Sequence, residues 1–292
     1  MKIAMSPEIS ERSGSDLKMA LLTAVITTRN EEDNIANCIN AFDGFRNEVD
    51  IIVVDNASTD ATKAIASELG AVVLDKGPER SAQRNLGWRE AKSDYVVILD
   101  ADMILPSPTI NELLSIARAA EYDACWIREV RTGTGIRVKA RNFERSFYDG
   151  TCIDALRLFS KGVLEKVGGY DEQLIAGPED WDLDVRILMT GAKCRVTEGH
   201  LIHNEKKLSY GKMLAKKAYY TKSFAAYKAK WPNNRSVKKQ FSPLYRFAGV
   251  FVENGKWRKL LAHPLLFCVV LFERFSVGVV YLNSLVRGKA ST

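Results

Sequence analysis

The chain has 292 residues, 46% hydrophobic and 27% charged, with 42 Lys and Arg against 36 Asp and Glu for a net charge of +6. A chain of that length and make-up can bury a full core without disulfides or a structural metal, which excludes intrinsic disorder and collagen-like or coiled-coil fibres. The charge is uneven: residues 1–200 hold 24 basic and 33 acidic side chains, net −9, whereas residues 201–292 hold 18 and 3, net +15. A basic tail on an acidic body points to an anionic partner, with nucleic acid and an anionic membrane surface as the two candidates.

Residues 1–20 are polar and mixed in charge and read as a flexible extension, neither a signal peptide nor a membrane anchor. The five cysteines are scattered with no C-x-x-C pair, which predicts neither a disulfide framework nor a zinc site and suits a reducing, cytoplasmic setting. From Leu21 short apolar runs alternate with amphipathic stretches. This predicts strands at 21–27, 50–54, 71–74 and 95–99 joined by helices at 32–45, 59–69 and 81–91, the second capped by Ser58 or Thr59. The pattern is that of a doubly wound α/β domain, Rossmann-like, with a mostly parallel sheet flanked by helices. Further on come a helix at 109–119 and a strand at 123–127, and then the segment 155–159 and a helix at 161–167 lead into a helix opened by Pro178-Glu179-Asp180. Residues 131–149 are rich in Gly, Arg and Lys without clear period, and read as a mobile segment beside the site. From Leu208 the chain reads as helical, over 208–231, 244–253 and 257–286.

The chemistry-bearing feature is Asp100-Ala101-Asp102, standing directly after the apolar run Tyr95-Val96-Val97-Ile98-Leu99. Two carboxylates thus emerge at a strand's C-terminal end, the edge where open α/β sheets bind ligands, and such hard oxygen donors suit Mg²⁺ or Mn²⁺ on a diphosphate. The first strand ends in Thr27-Thr28-Arg29-Asn30-Glu31-Glu32 and the second in Val53-Val54-Asp55-Asn56-Ala57-Ser58-Thr59-Asp60, so polar groups gather at the same edge. Gln83-Arg84-Asn85 adds a cationic helix start that could pair with a phosphate. Turn and capping chemistry would account for Asp55 or Ser58 taken singly, and Glu179-Asp180 could simply complement a helix dipole; the convergence favours a site. Neither a glycine-rich dinucleotide fingerprint nor a P-loop is present.

Through these segments, together with Glu179-Asp180 followed by Asp182-Leu183 and Arg186, the chain resembles family 2 glycosyltransferases of the GT-A fold over residues 21–203. The resemblance implies a nucleotide-diphospho-sugar donor, most often a UDP-sugar, with Thr27, Thr28, Arg29, Asn30, Glu31, Asp55, Asn56 and Ser58 around the base and ribose. It puts Arg84 by the nucleotide and phosphates, Asp102 on a divalent metal, and Asp100 near ribose and metal with Ala101 between them. Asp180 would be the catalytic base with Glu179 beside it on the acceptor side, and His203 rather than His200 would complete the metal site, because it ends the apolar pair Leu201-Ile202. A base is needed because a hydroxyl is a poor nucleophile, and the metal and Arg84 would stabilise the leaving diphosphate. A single displacement without a protein nucleophile inverts the anomeric centre.

In the basic region, Met213, Tyr220, Phe224, Tyr227 and Trp231 recur at helical spacing with Lys212, Lys217, Lys228 and Lys230 alongside. Such a stripe suits either a membrane interface or packing on the catalytic domain. Lys216, Lys217, Tyr220, Phe224 and Trp231 are the acceptor or membrane candidates, and a lysine- and tyrosine-rich helix at 216–223 would suit a polyprenyl diphosphate. Residues 265–286 are almost wholly apolar apart from Glu273-Arg274, a pair too costly for a bilayer centre. A helix dipping into one leaflet, or packed on a neighbouring subunit of a homo-oligomer, is expected there, with a helix of the chain's own core as the alternative. The division is thus a GT-A domain over 21–209 and a helical region over 210–292. The expected protein is an inverting, metal-dependent enzyme, cytoplasmic and peripheral on the inner face of the cell membrane, extending a lipid-linked or cell-surface glycan. Its rivals are a polyprenyl-phosphate sugar synthase and a non-catalytic nucleotide-sugar or membrane-binding module; no nucleic-acid partner is expected.

Overall fold

In the computed structural model the described residues are 19–175, 177–204 and 223–289, with side chains described as far as 276 in the last helix. Strands β1 (Leu22–Thr28), β2 (Val49–Asp55), β3 (Val72–Asp75) and β4 (Tyr95–Asp100) pair in parallel in the order β3-β2-β1-β4. All seven residues of β1 are buried. Because side chains alternate across a strand, Leu22, Ala24, Ile26, Ile51, Val53, Val97 and Leu99 enter one core and Val25, Ile52, Val54, Val96 and Ile98 the other. The first core is closed by α1 (Ile35–Asn40), α2 (Thr62–Glu68) and α4 (Ser107–Ala119), and α3 (Arg80–Glu90) lies on the opposite face. Gly87 lets α3 approach β1 closely, since a Cβ there would lie 2.2 Å from Val25 Cγ1.

The rest of the sheet is mixed. Strand β7 (Leu156–Ser160) runs antiparallel to both β4 and β6 (Ala124–Arg131), β8 (Cys194–His203) runs parallel to β6, and β5 (Met103–Ile104) pairs antiparallel with β8. The full order is β3-β2-β1-β4-β7-β6-β8-β5. Parallel alternation therefore describes only the first half. Helices α6 (Lys161–Val167) and α7 (Glu179–Met189) lie between β7 and β8 in the chain.

Several expectations are corrected. Neither Ser58 nor Thr59 caps α2: Asp60 Oδ1 accepts from Thr62 N at 3.0 Å, while Ser58 Oγ accepts from Asn30 N at 2.8 Å. The aperiodic segment at 131–149 contains a helix, α5 (Ile136–Arg145), whose Ala140 and Phe143, with Phe147 beyond its end, enter a core with Tyr245, Val250 and Phe251. That one-sided spacing of 3 and 4 was hidden by the surrounding arginines.

Of the predicted 208–231 helix, residues 205–222 lie outside the described residues, and with them Lys216, Lys217 and Tyr220. The described part, Phe224–Lys230, packs with a second helix, Arg235–Phe241, against α7. Phe224 stacks on Trp181 with centroids 6.1 Å apart, Tyr227 is fully buried, and Trp231 Nε1 donates to Asp182 Oδ1 at 2.8 Å. Over 224–231 the aromatic stripe is turned inward, so the membrane-facing reading of Phe224 and Trp231 gives way to packing on the catalytic domain.

The predicted 257–286 helix is broken into Trp257–Ala262 and Pro264–Lys289, as expected where a proline disfavours helical backbone at the residue before it. Glu273 accepts from Arg137 Nε at 2.9 Å and Arg274 donates to Glu144 at 2.6 Å. The charged pair that interrupts the apolar run thus faces α5 of its own chain. No helix among the described residues is long and apolar enough to cross a membrane.

Candidate active site

The loops after β1 and β2 are stitched together by the polar residues that the sequence places there. Asn30 N donates to Ser58 Oγ, Thr59 N returns to Asn30 Oδ1 at 2.8 Å, Glu31 N donates to Thr62 Oγ1 at 2.9 Å and Ala61 N to Glu32 Oε2 at 2.9 Å. Asp55 is completely buried and accepts from Ser58 N at 2.7 Å and from Ser58 Oγ, so it shapes the turn. Asn56 Nδ2 donates to Pro78 O. Arg29 is exposed at this edge, and the hydroxyl of Thr28 is buried without a hydrogen-bond partner.

Three consecutive buried polar residues of α3 reach three different places. Gln83 Nε2 donates to Thr28 O and Val54 O at 3.1 and 2.7 Å, tying the ends of β1 and β2. Asn85 Nδ2 donates to Tyr170 O and Glu172 Oε1, holding the loop that leads to α7. Arg84, 0% exposed, stands between the two acidic motifs: Nη2 lies 3.3 Å from Asp100 Oδ1, and Nη1 lies 2.7 Å from Asp180 Oδ1 and 3.5 Å from Glu179 Oε1. Its guanidinium also lies over the Tyr170 ring, 5.1 Å from the centroid.

These contacts set the electrostatics. Burial lowers the Arg84 pKa, but Asp180, Tyr170, Asp100 and Glu179 outweigh it and hold it well above the usual value. Burial would likewise raise Asp100, yet Arg84, Arg80 and Arg157 keep it well below the ordinary carboxylate range, and Thr27 Oγ1 donates to it at 3.0 Å. Glu179 is the opposite case: burial and the neighbouring Asp180 charge raise it against the pull of Arg84, and its Oε2 is buried without a partner.

Asp102 differs from Asp100. The pairing of β5 with β8 sets His203 across from Met103, and His203 Nε2 lies 3.1 Å from Asp102 Oδ2 while Nδ1 lies 3.0 Å from Glu129 Oε1. Burial lowers the imidazole pKa, but the bonds to Asp102 and Glu129 and their charges outweigh it and hold the ring at about 9. Ala101 N donates to Thr27 O at 3.1 Å, which ties the loop to β1. Among the described residues no three His, Cys, Asp or Glu side chains form a ready metal cage. Asp102 and His203 are a pair of converging donors with the second imidazole nitrogen buttressed by a carboxylate; such a pair fits a divalent ion whose remaining ligands come from a bound molecule.

The structure therefore brings together Thr27, Arg84, Asp100, Glu179 and Asp180 in one cluster and Asp102 with His203 beside it. It sets Asp55 and Ser58 in the turn below. Glu129 and Arg80 were missed from the sequence. Arg80, whose Nη1 lies 3.5 Å from Asp100 Oδ2, stands one helical turn before Arg84 and was legible by spacing. Glu129 meets His203 only through the β6–β8 pairing, which no local pattern announces.

The chain matches the profile of Glycosyl transferase family 2 over residues 23–168. It is 31% identical over 106 residues to the low-salt glycan biosynthesis hexosyltransferase Agl6 of Haloferax volcanii, covering 35% of this chain and 26% of that protein. It is 30% identical over 122 residues to the dolichol-phosphate mannosyltransferase of Pyrococcus furiosus, covering 38% and 34%. In each case the match spans well under half of the relative. Among solved structures it resembles the mannosyltransferase PcManGT of Pyrobaculum calidifontis in complex with GDP-Man and Mn²⁺, with TM-score 0.56 and 20% identity over 91% of this chain and 83% of that one. It also resembles S. aureus TarS 1-349 in complex with UDP-GlcNAc, with TM-score 0.55 and 15% identity over 88% and 81%. At such identities the likeness is one of fold. Profile, sheet order and flanking helices agree, and the chain belongs to glycosyl transferase family 2, with the GT-A fold.

Proposed function

We propose that this glycosyltransferase moves a sugar from a nucleotide-diphospho-sugar to an acceptor hydroxyl on a lipid-linked or cell-surface glycan, with inversion at the anomeric carbon. The observation that carries the reading is the bridge through Arg84, which joins the strand-end Asp100 to Asp180 at the start of α7. One buried cation thereby sets the proposed donor edge and the proposed base in fixed relation, the positioning on which an in-line displacement depends.

In this reading Asp180 accepts the proton of the acceptor hydroxyl while the oxygen attacks the anomeric carbon and the bond to the diphosphate breaks. Glu179, buried and inclined to hold its proton, supports Asp180. Asp102 and His203 would hold Mn²⁺ or Mg²⁺, which when bound supplies positive charge against the leaving diphosphate. Arg84 is fully buried, so the half-exposed Arg80 is the better placed of the two to meet phosphate, and Arg84 acts by positioning. Thr28 and Arg29 remain at the edge to meet the nucleotide, and Asp55, Asn56, Ser58, Asn30 and Glu31 form the floor beneath it. The named activities of Agl6 and of the solved relatives support a hexose donor; a UDP-sugar is the first to try.

The test is nucleoside diphosphate release from a panel of nucleotide sugars, with and without Mn²⁺, using wild type, Asp102→Ala and Asp180→Asn. Metal-dependent release with one donor is expected, falling by about 10²-fold or more in Asp180→Asn. Donor binding with no release, even with membrane extract as acceptor, would instead make the chain a nucleotide-sugar-binding module. The likeness to a dolichol-phosphate mannosyltransferase favours a second reading, transfer to a polyprenyl phosphate. That acceptor is ionised already, so Asp180→Asn would then leave turnover nearly intact.

A further inference from the structure

The last helix has two faces of different character. Val270 is buried, Leu266 packs on the same core, and Glu273 and Arg274 hold α5; the opposite side exposes Leu265 (69%), Cys268, Phe272 (72%) and Phe275 (69%). Their spacing of 3, 4 and 3 keeps them on one stripe. Leu261 and Trp257, on the short helix before it, and Ile136 on α5 are exposed as well.

The charges beside this apolar surface have one sign outward. Over residues 223–276 and α5 the carboxylates are Glu144, Glu253 and Glu273, and each is largely buried and paired, with Arg274, Lys239 and Arg137 respectively. Arg137, Lys139, Arg258 and Lys259 are exposed. Arg258 and Lys259 precede the long helix and Arg137 lies at Glu273 near the end of its described side chains, so cations flank the stretch 257–276 at both ends. A second copy laid on this face, parallel or antiparallel, would bring like charges together. Nucleic acid would leave the Leu and Phe stripe without a partner. An anionic bilayer satisfies both features: acyl chains take the stripe without demanding shape complementarity, and lipid phosphates meet the cations.

We infer that the outward face of residues 257–276, with the exposed end of α5, is a docking surface that lies in the headgroup layer of an anionic membrane. It deepens the reading of a membrane-borne acceptor and rests on that reading for its purpose, though not for its binding. The surface works without a spanning segment, and it differs from the 224–231 stripe, which the fold itself covers.

Co-sedimentation with vesicles of equal parts phosphatidylglycerol and phosphatidylcholine, and with phosphatidylcholine alone, tests it on the full chain. Wild type should sediment with the anionic vesicles, and Phe272→Ser/Phe275→Ser should lower the partition about tenfold or more. Lys139→Glu/Arg258→Glu should remove the preference for anionic over zwitterionic vesicles, while both variants keep the wild-type circular dichroism and donor turnover on a soluble acceptor. Wild type left in the supernatant, or equal partition of wild type and the serine variant, would overturn the inference. So would a doubled solution mass or a nucleic-acid gel shift abolished by the serine variant. Vesicle binding with no sugar transfer would break the functional reading and leave the surface standing.

Discussion

The sheet edge around Arg84 and the helical surface at 257–276 handle charge in opposite ways. At the sheet edge the buried guanidinium of Arg84 is surrounded by Asp100, Asp180 and Glu179, so cation and carboxylates offset one another inside the protein. On the helical surface the carboxylates are drawn inward and paired, and the cations are left outside beside bare Leu and Phe side chains. The first arrangement fixes side chains in place and suits chemistry. The second leaves charge accessible, which suits contact with a diffuse anionic surface. The difference also explains why a net charge of +15 after residue 200 says little about the site itself.

The largest test of this contrast removes the buried cation. Arg84→Met takes the paired cation from Asp180 and Glu179 and leaves Asp100 to Arg80 and Arg157, and should cost about 3–5 kcal/mol of unfolding free energy, read by urea denaturation, together with donor turnover. A loss below about 1 kcal/mol would mean that the cluster relaxes into water and is not the anchor described.

Asp184 comes next. Buried against Trp126 Nε1 and Leu156 N, it has its pKa raised well above the usual value by burial and by the charges of Asp180 and Asp154, countered by those two hydrogen bonds. The folded state therefore holds a proton that the unfolded state releases above about pH 4, and stability should fall as pH rises from there toward the raised pKa. Asp184→Asn should flatten that slope in melting temperatures taken across the pH range. An unchanged slope would place the titration elsewhere.

A smaller effect belongs to the join between the two regions. Trp231→Phe keeps the ring but removes the donor to Asp182, which still has Arg186 Nε at 2.8 Å and Lys230 Nζ at 2.9 Å; about 1 kcal/mol should be lost in denaturant titrations. No change would mean that the aromatic packing alone holds the 224–231 helix. The smallest is expected outside: Arg258→Ser should alter stability by no more than about 0.5 kcal/mol, as for other exposed positions, so a measurable loss would assign that side chain a role in the fold.

Much of the layout of the candidate site was legible. Asp100 and Asp102 follow an apolar run, and a strand's end is where side chains leave the sheet, so their place could be read locally. His203 was preferred over His200 from the apolar pair before it, and it is the one that reaches Asp102. What escaped depended on pairing between distant segments. Glu129 meets His203 across β6 and β8; the burial of Arg84 between two motifs 80 positions apart is set by how α3 and α7 meet. Phe224 and Trp231 could face lipid or protein with the same spacing, and Trp181 decided for protein.

The sequence by itself determined the strand-helix alternation of residues 21–100, the strand-end carboxylates and the acidic opening of α7. These rest on periodicity and on strand and helix ends, which neighbouring residues control. Only the tertiary structure decided that β7 enters antiparallel, that Glu273-Arg274 faces α5, and which apolar stripe is covered and which is left outside. Helical spacing defines a face but carries no address for it; the address comes from which distant surface gains most by being buried against it.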